Sequence, residues 1–301
     1  MKNTLALMQR EWLQHRFAWM LMALVPTLLA VLLLSFGEIH LSTEERGEHL
    51  PVALASASLI GSMGLHMLIL WIVALLITAG LARRDHGDRS VEFWLSLPTG
   101  HGESLAVPLL VHLLLAPMVA LAVGLVGGLV ASLVLVSRVE GAWAWFSLPW
   151  GTLLVAALAM ATRLALGLVL ATLWLAPLLL IMVTLTAWFG RWGLVILALG
   201  VGVGSAVLDS AFGIHWPAAW LVRIFTEAGQ AVANTGSGSL VVETSGDLAS
   251  VLGDVPAWAW RDALQAVGQL ASPVLVVGLA LAAGCFAMLV QWRQRGAQHG
   301  G

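Results

Sequence analysis

The chain reads as an all-α, polytopic membrane protein with six transmembrane helices, and three observations lead there. Of its 301 residues, 60% are hydrophobic and only 10% charged, a balance foreign to ordinary soluble domains. The apolar residues, which raise the mean hydropathy to +0.94, gather in runs near or above the roughly 18 residues that span a bilayer core. The basic residues, in turn, concentrate in alternate connections between those runs.

The elements follow in order. Residues 1–16 place Leu5, Met8, Trp12 and Leu13 on roughly one face, with Lys2, Arg10, Glu11, His15 and Arg16 mostly away from it. This predicts an amphipathic helix on the cytoplasmic leaflet, or a basic flank of the first span. The first span is 17–36. No small-residue cleavage site follows it, so a cleavable signal peptide is not expected. The second and third spans are 52–81 and 105–136, joined by the polar segment 82–104. The run 150–189 is interrupted only by Arg163, and at about 1.5 Å per residue it is too long for one crossing. An elbow is therefore expected, with an outer interfacial or re-entrant helix over 150–163 and the fourth span over 164–189, kinked at Pro177. The fifth span is 194–208, the extracytoplasmic segment 209–262, and the sixth span 263–291. Within 209–262, Trp216 to Asn234 reads as an apolar-rich helix, followed by a Gly/Ser break.

Six spans put both termini on one side. The segments 1–16, 82–104, 190–193 and 292–301 carry 9 of the 14 basic residues, so the termini are expected in the cytoplasm. Trp143, Trp145, Trp150, Trp258 and Trp260 would mark the outer interface, and Trp188, Trp192 and Trp292 the inner one.

Several functions are excluded or disfavoured. A net charge of -2 offers no basic stripe for nucleic acid. The single cysteine, Cys285, allows neither an internal disulfide nor a thiolate cluster. The one lysine is Lys2, whereas a phosphate-binding P-loop needs a lysine directly after its glycine-rich turn. Any ATP must be bound by another chain. With every charge but the doubtful Arg163 assigned to loops or interfaces, an ion-coupled carrier is disfavoured. No His-Glu-x-x-His motif or paired intramembrane aspartates occur, so neither metal nor cofactor is expected on this chain. His66 and His112 are each open to two readings, a proton pathway or a plain hydrogen bond to a neighbouring helix, of which the second is the simpler. The runs Gly61-Ser62-Met63-Gly64 and Gly124-Leu125-Val126-Gly127-Gly128 predict close helix approach. An intramembrane hydrolase with Ser62 as nucleophile and His66 as base is the enzymatic alternative, and a weak one, because the two lie one turn apart on one helix.

The segment from Arg83 to Pro98 is the densest polar stretch. Asp88 or Ser90 would cap a short helix ended by Pro98. On it Phe93 and Leu97 lie one turn apart, as do Ser90 and Trp94, and apolar groups rimmed by charge on a loop commonly mark a protein contact. The other reading dips that aromatic face into the leaflet.

Gln9-Arg10-Glu11-Trp12, followed by His15-Arg16, resembles the Arg-Glu-aromatic motif ahead of the first span in ABC-2 type permeases, the membrane subunits of many bacterial ABC exporters. Asp88-Arg89-Ser90-Val91-Glu92-Phe93-Trp94-Leu95-Ser96-Leu97-Pro98 resembles more specifically their Asp-x-Ser-x-x-Phe-Trp-x-Ser-Leu-Pro cytoplasmic loop. Leu173-Trp174-Leu175-Ala176-Pro177 and Ala187-Trp188, with Arg191, resemble the family's fourth span and inner turn. The likeness omits 209–262, and it departs at Gly100-His101-Gly102 and in lacking a lysine at the start of the third span.

The resemblance implies a bacterial inner-membrane exporter in which the loop is a coupling helix seated in a cleft of a separate nucleotide-binding subunit. Phe93, Trp94 and Leu97 would anchor it, rimmed by Arg84, Asp88, Arg89 and Glu92. ATP and Mg would be bound by a dimer of that partner ATPase, and a hydrophobic or amphipathic substrate would pass between two permeases, identical or related, amid membrane lipids. Arg10, Glu11 and Trp12 would belong to the N-terminal interfacial helix. The competing class is a membrane scaffold or accessory subunit that binds partners without forming a path.

Overall fold

The computed structural model describes residues 2–38, 49–81, 100–232 and 248–299. Among them all regular structure is helical: α1 (Lys2–Phe36), α2 (Leu50–Thr78), α3 (His101–Glu140), α4 (Ala142–Phe146), α5 (Trp150–Phe189), α6 (Trp192–Phe212), α7 (Trp216–Val232), α8 (Leu248–Gly268) and α9 (Pro273–His299). Six of these, α1, α2, α3, α5, α6 and α9, are long and apolar enough to cross a bilayer. In lipid the backbone must satisfy its own polar groups, which leaves long runs of this composition little choice but helix.

The first half of the chain is built on α2 against α3. A Cβ on Gly124 would stand 2.7 Å from the Met63 Cα, and one on Gly128 would stand 2.7 Å from the Leu59 Cα. Glycine alone fits at both positions, because the two backbones touch there. Gly61 and Gly64 play no such part, since a Cβ on either meets nothing within 4 Å. The close approach is thus built by the glycines of α3 against the backbone of α2. α1 lies along both helices and is tied to α2 by His66, whose Nε2 lies 3.0 Å from the Thr27 Oγ1 and 3.1 Å from the Ala23 carbonyl oxygen.

The second half is organised around α5. α7 runs antiparallel to it, with Trp220 beside Pro177 and Gly278 at one end and Ala231 beside Gly167 and Arg163 at the other. α8 and then α9 run parallel to it: Leu252 and Val255 pack near Leu153 and Ala156, Ala266 near Leu170, and Leu289 near Val183. α6 folds back from α5 at Gly190, whose φ of 60° closes the helix. Gly193 then lets the two backbones touch, since a Cβ there would lie 2.6 Å from the Thr186 Cα.

Four sequence expectations change. No elbow breaks α5, which runs 40 residues through both Arg163 and Pro177. The charge that suggested a boundary is neutralised by Asp262 from α8, so it does not need an interface. The N-terminal segment is no separate in-plane helix but the first four turns of α1. Its orientation explains why: Glu11 and Leu7 face the protein, while Leu5, Trp12 and Leu13 are 64%, 47% and 53% exposed, the inverse of a water-facing helix and suited to lipid. The last span begins at Pro273, not residue 263, because residues 263–268 complete α8 before a turn at Gln269 to Ser272. The third helix starts at His101 and ends at Glu140, where Gly141 adopts a φ of 91°.

The glycine seam makes a test. Gly124→Ala or Gly128→Ala should lower stability by about 1–3 kcal/mol through overpacking. Gly61→Ala and Gly64→Ala, which meet open space, should be neutral or stabilising by up to about 1 kcal/mol. Thermal unfolding in detergent compares the four.

Candidate functional site

One end of the bundle gathers several chain segments that are distant in sequence. The Thr4 hydroxyl donates to the Glu103 carboxylate at 2.5 Å, the Arg293 guanidinium donates to the Ser104 hydroxyl at 2.8 Å, and the Thr186 hydroxyl donates to the Ala79 carbonyl at 2.5 Å. The start of α1, the end of α2, the start of α3, the end of α5 and the last turns of α9 therefore meet there. Both described flanks of the α2–α3 connection, Leu81 and Gly100, belong to this end. The connection itself, with Arg84, Asp88, Arg89, Glu92, Phe93, Trp94 and Leu97, lies outside the described residues.

Arg10, Glu11 and Trp12 are placed differently from one another. Trp12 is half-exposed and its ring lies 5.8 Å from that of Trp19, one helical face further along. Arg10 is 8% exposed and Glu11 fully buried. The Glu11 Oε2 faces the His112 Nε2 at 3.1 Å and the His15 Nε2 at 3.9 Å. His112 is on a π turn, Val111–Leu115, where the Ala116 N–H reaches back to the Val111 carbonyl. Pro117 accounts for that turn, because it has no N–H and its ring crowds the carbonyl four residues earlier. Glu11, His15 and His112 bring one ligand atom each to within 4.8 Å of one another.

A second polar node joins α5, α7 and α8. The Arg163 Nε donates to the Asp262 Oδ2 at 2.5 Å, and its Nη1 donates to the Ala231 carbonyl at 2.7 Å. Both side chains are 1–2% exposed. Asp262 and Glu11 thus join Arg163 inside the molecule, which removes the premise that charges are confined to loops. Arg163 and Asp262 neutralise each other against a backbone carbonyl, an arrangement that fastens three helices together.

His66, mid-helix on α2, makes the interhelical bonds that the simpler reading expected. Its Nδ1 lies 2.7 Å from the Ser62 carbonyl oxygen and 3.4 Å from the Ser62 hydroxyl, while its Nε2 faces α1. Nδ1 is engaged by the Ser62 carbonyl of its own helix and Nε2 joins α2 to α1, a poor geometry for activating the Ser62 hydroxyl. His112 likewise bonds a neighbouring helix, through Glu11.

An apolar cavity of about 820 Å³ lies between α5, α6, α7 and α9. Ile181, Leu197, Gly200, Trp216, Trp220 and Val277 represent its walls. The Ser205 hydroxyl, which also lines it, bonds back to the Val201 carbonyl of its own helix. The cavity therefore offers dispersion contacts and very little hydrogen bonding, as suits an acyl chain or another apolar group. Sequence reasoning placed an apolar helix at Trp216 onward but had no means of setting it against α5, α6 and α9.

No family model, curated protein or solved structure matches the chain.

The Arg163–Asp262 node generates the test here. Either Arg163→Met or Asp262→Leu alone strands a buried charge and should cost about 3–5 kcal/mol. The double substitution should recover most of that loss, read as a double-mutant cycle on thermal unfolding in detergent.

Proposed function

We propose that the chain is the membrane permease subunit of an ABC-2 type exporter in a bacterial inner membrane, with both termini cytoplasmic. In this reading two permeases, identical or related, form the path, and a separate dimer of ATPase subunits binds ATP and Mg and drives export of a hydrophobic or amphipathic substrate. The observation that carries it is the run Asp88 to Pro98, whose Asp-x-Ser-x-x-Phe-Trp-x-Ser-Leu-Pro pattern resembles the coupling loop of that family.

Its place in the chain supports the reading. The run connects α2 to α3 at the end of the bundle where the first turn of α1 and the last turns of α9 also meet. That is the end richest in basic residues, and the positive-inside rule assigns it to the cytoplasm, where an ATPase would dock. The α5–α6–α7–α9 cavity suits an apolar cargo. Lacking a lysine beyond Lys2, the chain has no P-loop of its own, which is why the energy source is assigned to a partner.

On a coupling helix, Phe93, Trp94 and Leu97 would be the buried anchor and Arg84, Asp88, Arg89 and Glu92 its polar rim. Aromatic anchors of this kind contribute about 2 kcal/mol or more, roughly thirtyfold in affinity. Tagged protein purified in mild detergent should bring down a stoichiometric P-loop ATPase, and Phe93→Ala with Trp94→Ala should lose it while membrane insertion is unchanged. ATPase retention and transport at wild-type level in that variant would overturn the coupling assignment. An eluate free of ATPase would favour a scaffold that forms no path.

A further inference from the structure

Glu11, His15 and His112 have the donor set and the spacing of a transition-metal site. Glu11 and His15 are four residues apart on α1, so their side chains leave the same face one turn apart, the arrangement by which a single helix offers two ligands to one ion. His112 comes from α3 and meets them from the opposite side, its ring edge-on to that of His15 with centroids 4.8 Å apart. One carboxylate oxygen and two imidazole nitrogens form a set that zinc accepts with a fourth position left open.

The distances agree. Two ligand atoms on one tetrahedral zinc lie about 3.4 Å apart, given metal–ligand bonds near 2.0–2.2 Å. Glu11 Oε2 stands 3.1 Å from the His112 Nε2 and 3.9 Å from the His15 Nε2, and the whole triad falls within 4.8 Å. A small turn of one imidazole closes the remaining gap. On His112 no second hydrogen bond opposes it, because its Nδ1 meets no hydrogen-bonding group among the described residues.

The surroundings point the same way. Glu11 and His112 are both 1% exposed as side chains and His15 is 23% exposed, with its Nε2 buried toward the other two. Trp19 flanks both imidazoles, with ring centroids 6.1 Å from His15 and 5.5 Å from His112, and so gives the site a wall of low polarity. His112 also sits on the one π turn among the described residues, a feature frequent at functional sites.

We infer that Glu11, His15 and His112 bind a divalent transition metal of the zinc class, joining α1 to α3. The ion would hold the N-terminal helix against the third span near the end of the bundle that carries the α2–α3 connection. The inference does not rest on the transport reading.

The test uses the full-length protein in detergent, purified with a histidine-free tag, stripped by chelator and then given Zn2+ or Co2+. The wild type is expected to retain about one equivalent of zinc after desalting, and Co2+ to give the intense visible absorption of a tetrahedral site. Glu11→Gln and His112→Gln should abolish both signals, and His15→Gln should weaken binding by about tenfold or more. His215→Gln, at an exposed histidine remote in sequence, should change nothing. Should the buried substitutions fail to fold, wild type and His15→Gln carry the test, since zinc should raise the Tm of the first well above any shift in the second. Failure of the wild type to retain metal, or equal retention by the variants, would overturn the site and leave the triad a buried ion pair.

Discussion

The buried pairing of Arg163 with Asp262 is the interaction on which the second half of the molecule depends. An unpaired guanidinium at that position would oppose the closing of α7 and α8 over α5 by about 3–5 kcal/mol. Paired, it fixes the relative positions of three helices at one point, because Arg163 also holds the Ala231 carbonyl at the end of α7. Gly167, one turn further along α5, admits that carbonyl where a Cβ would stand 2.6 Å from it. The register of α7 and α8 on α5 follows from those contacts, and with it the apolar cavity that α7 closes on one side.

The first half obeys a different constraint. No comparable ion pair joins α2 to α3 among the described residues; the seam is held by dispersion between closely spaced backbones, which in lipid is one of the few forces that favour helix association. Polar contacts are added at α1, where His66 and the Glu11–His112 pair fix the helix at two depths. The two halves meet in a shared apolar cluster that includes Leu59 and Met63 from α2 and Leu153 and Ala156 from α5. Direction is thus supplied by a few polar groups, and close contact by small and aliphatic ones.

The helical class and the number of apolar spans were legible in the sequence, because run length and hydropathy are local properties. The failures share one cause. Arg163 looked like a membrane boundary since its partner, Asp262, lies 99 residues away. Glu11 was assigned to a water-facing surface since His112, which buries it, lies 101 residues away. A charge whose counter-charge is distant in the chain cannot be distinguished, by pattern alone, from a charge meant for water. The glycines show the same limit in another form. Gly61-x-x-Gly64 and Gly124-x-x-x-Gly128 look alike as text, yet only the second faces a backbone. The residues of the α2–α3 connection, by contrast, were singled out by their own pattern, and the role proposed for them rests on that resemblance and on the position of the loop's two flanks.

The unbroken length of α5 has a mechanical consequence. Forty residues at about 1.5 Å each make a rod of some 60 Å, twice the thickness of a bilayer core. Had an elbow divided it at Arg163, its two ends would have moved as separate bodies. As one rod, it carries the ion-paired node, the cavity wall at Ile181 and the tight turn into α6 on a common axis. A tilt of that rod about the Arg163 node would carry its Gly190 end about twice as far as its Trp150 end and in the opposite sense, so the position of the node sets the leverage between them.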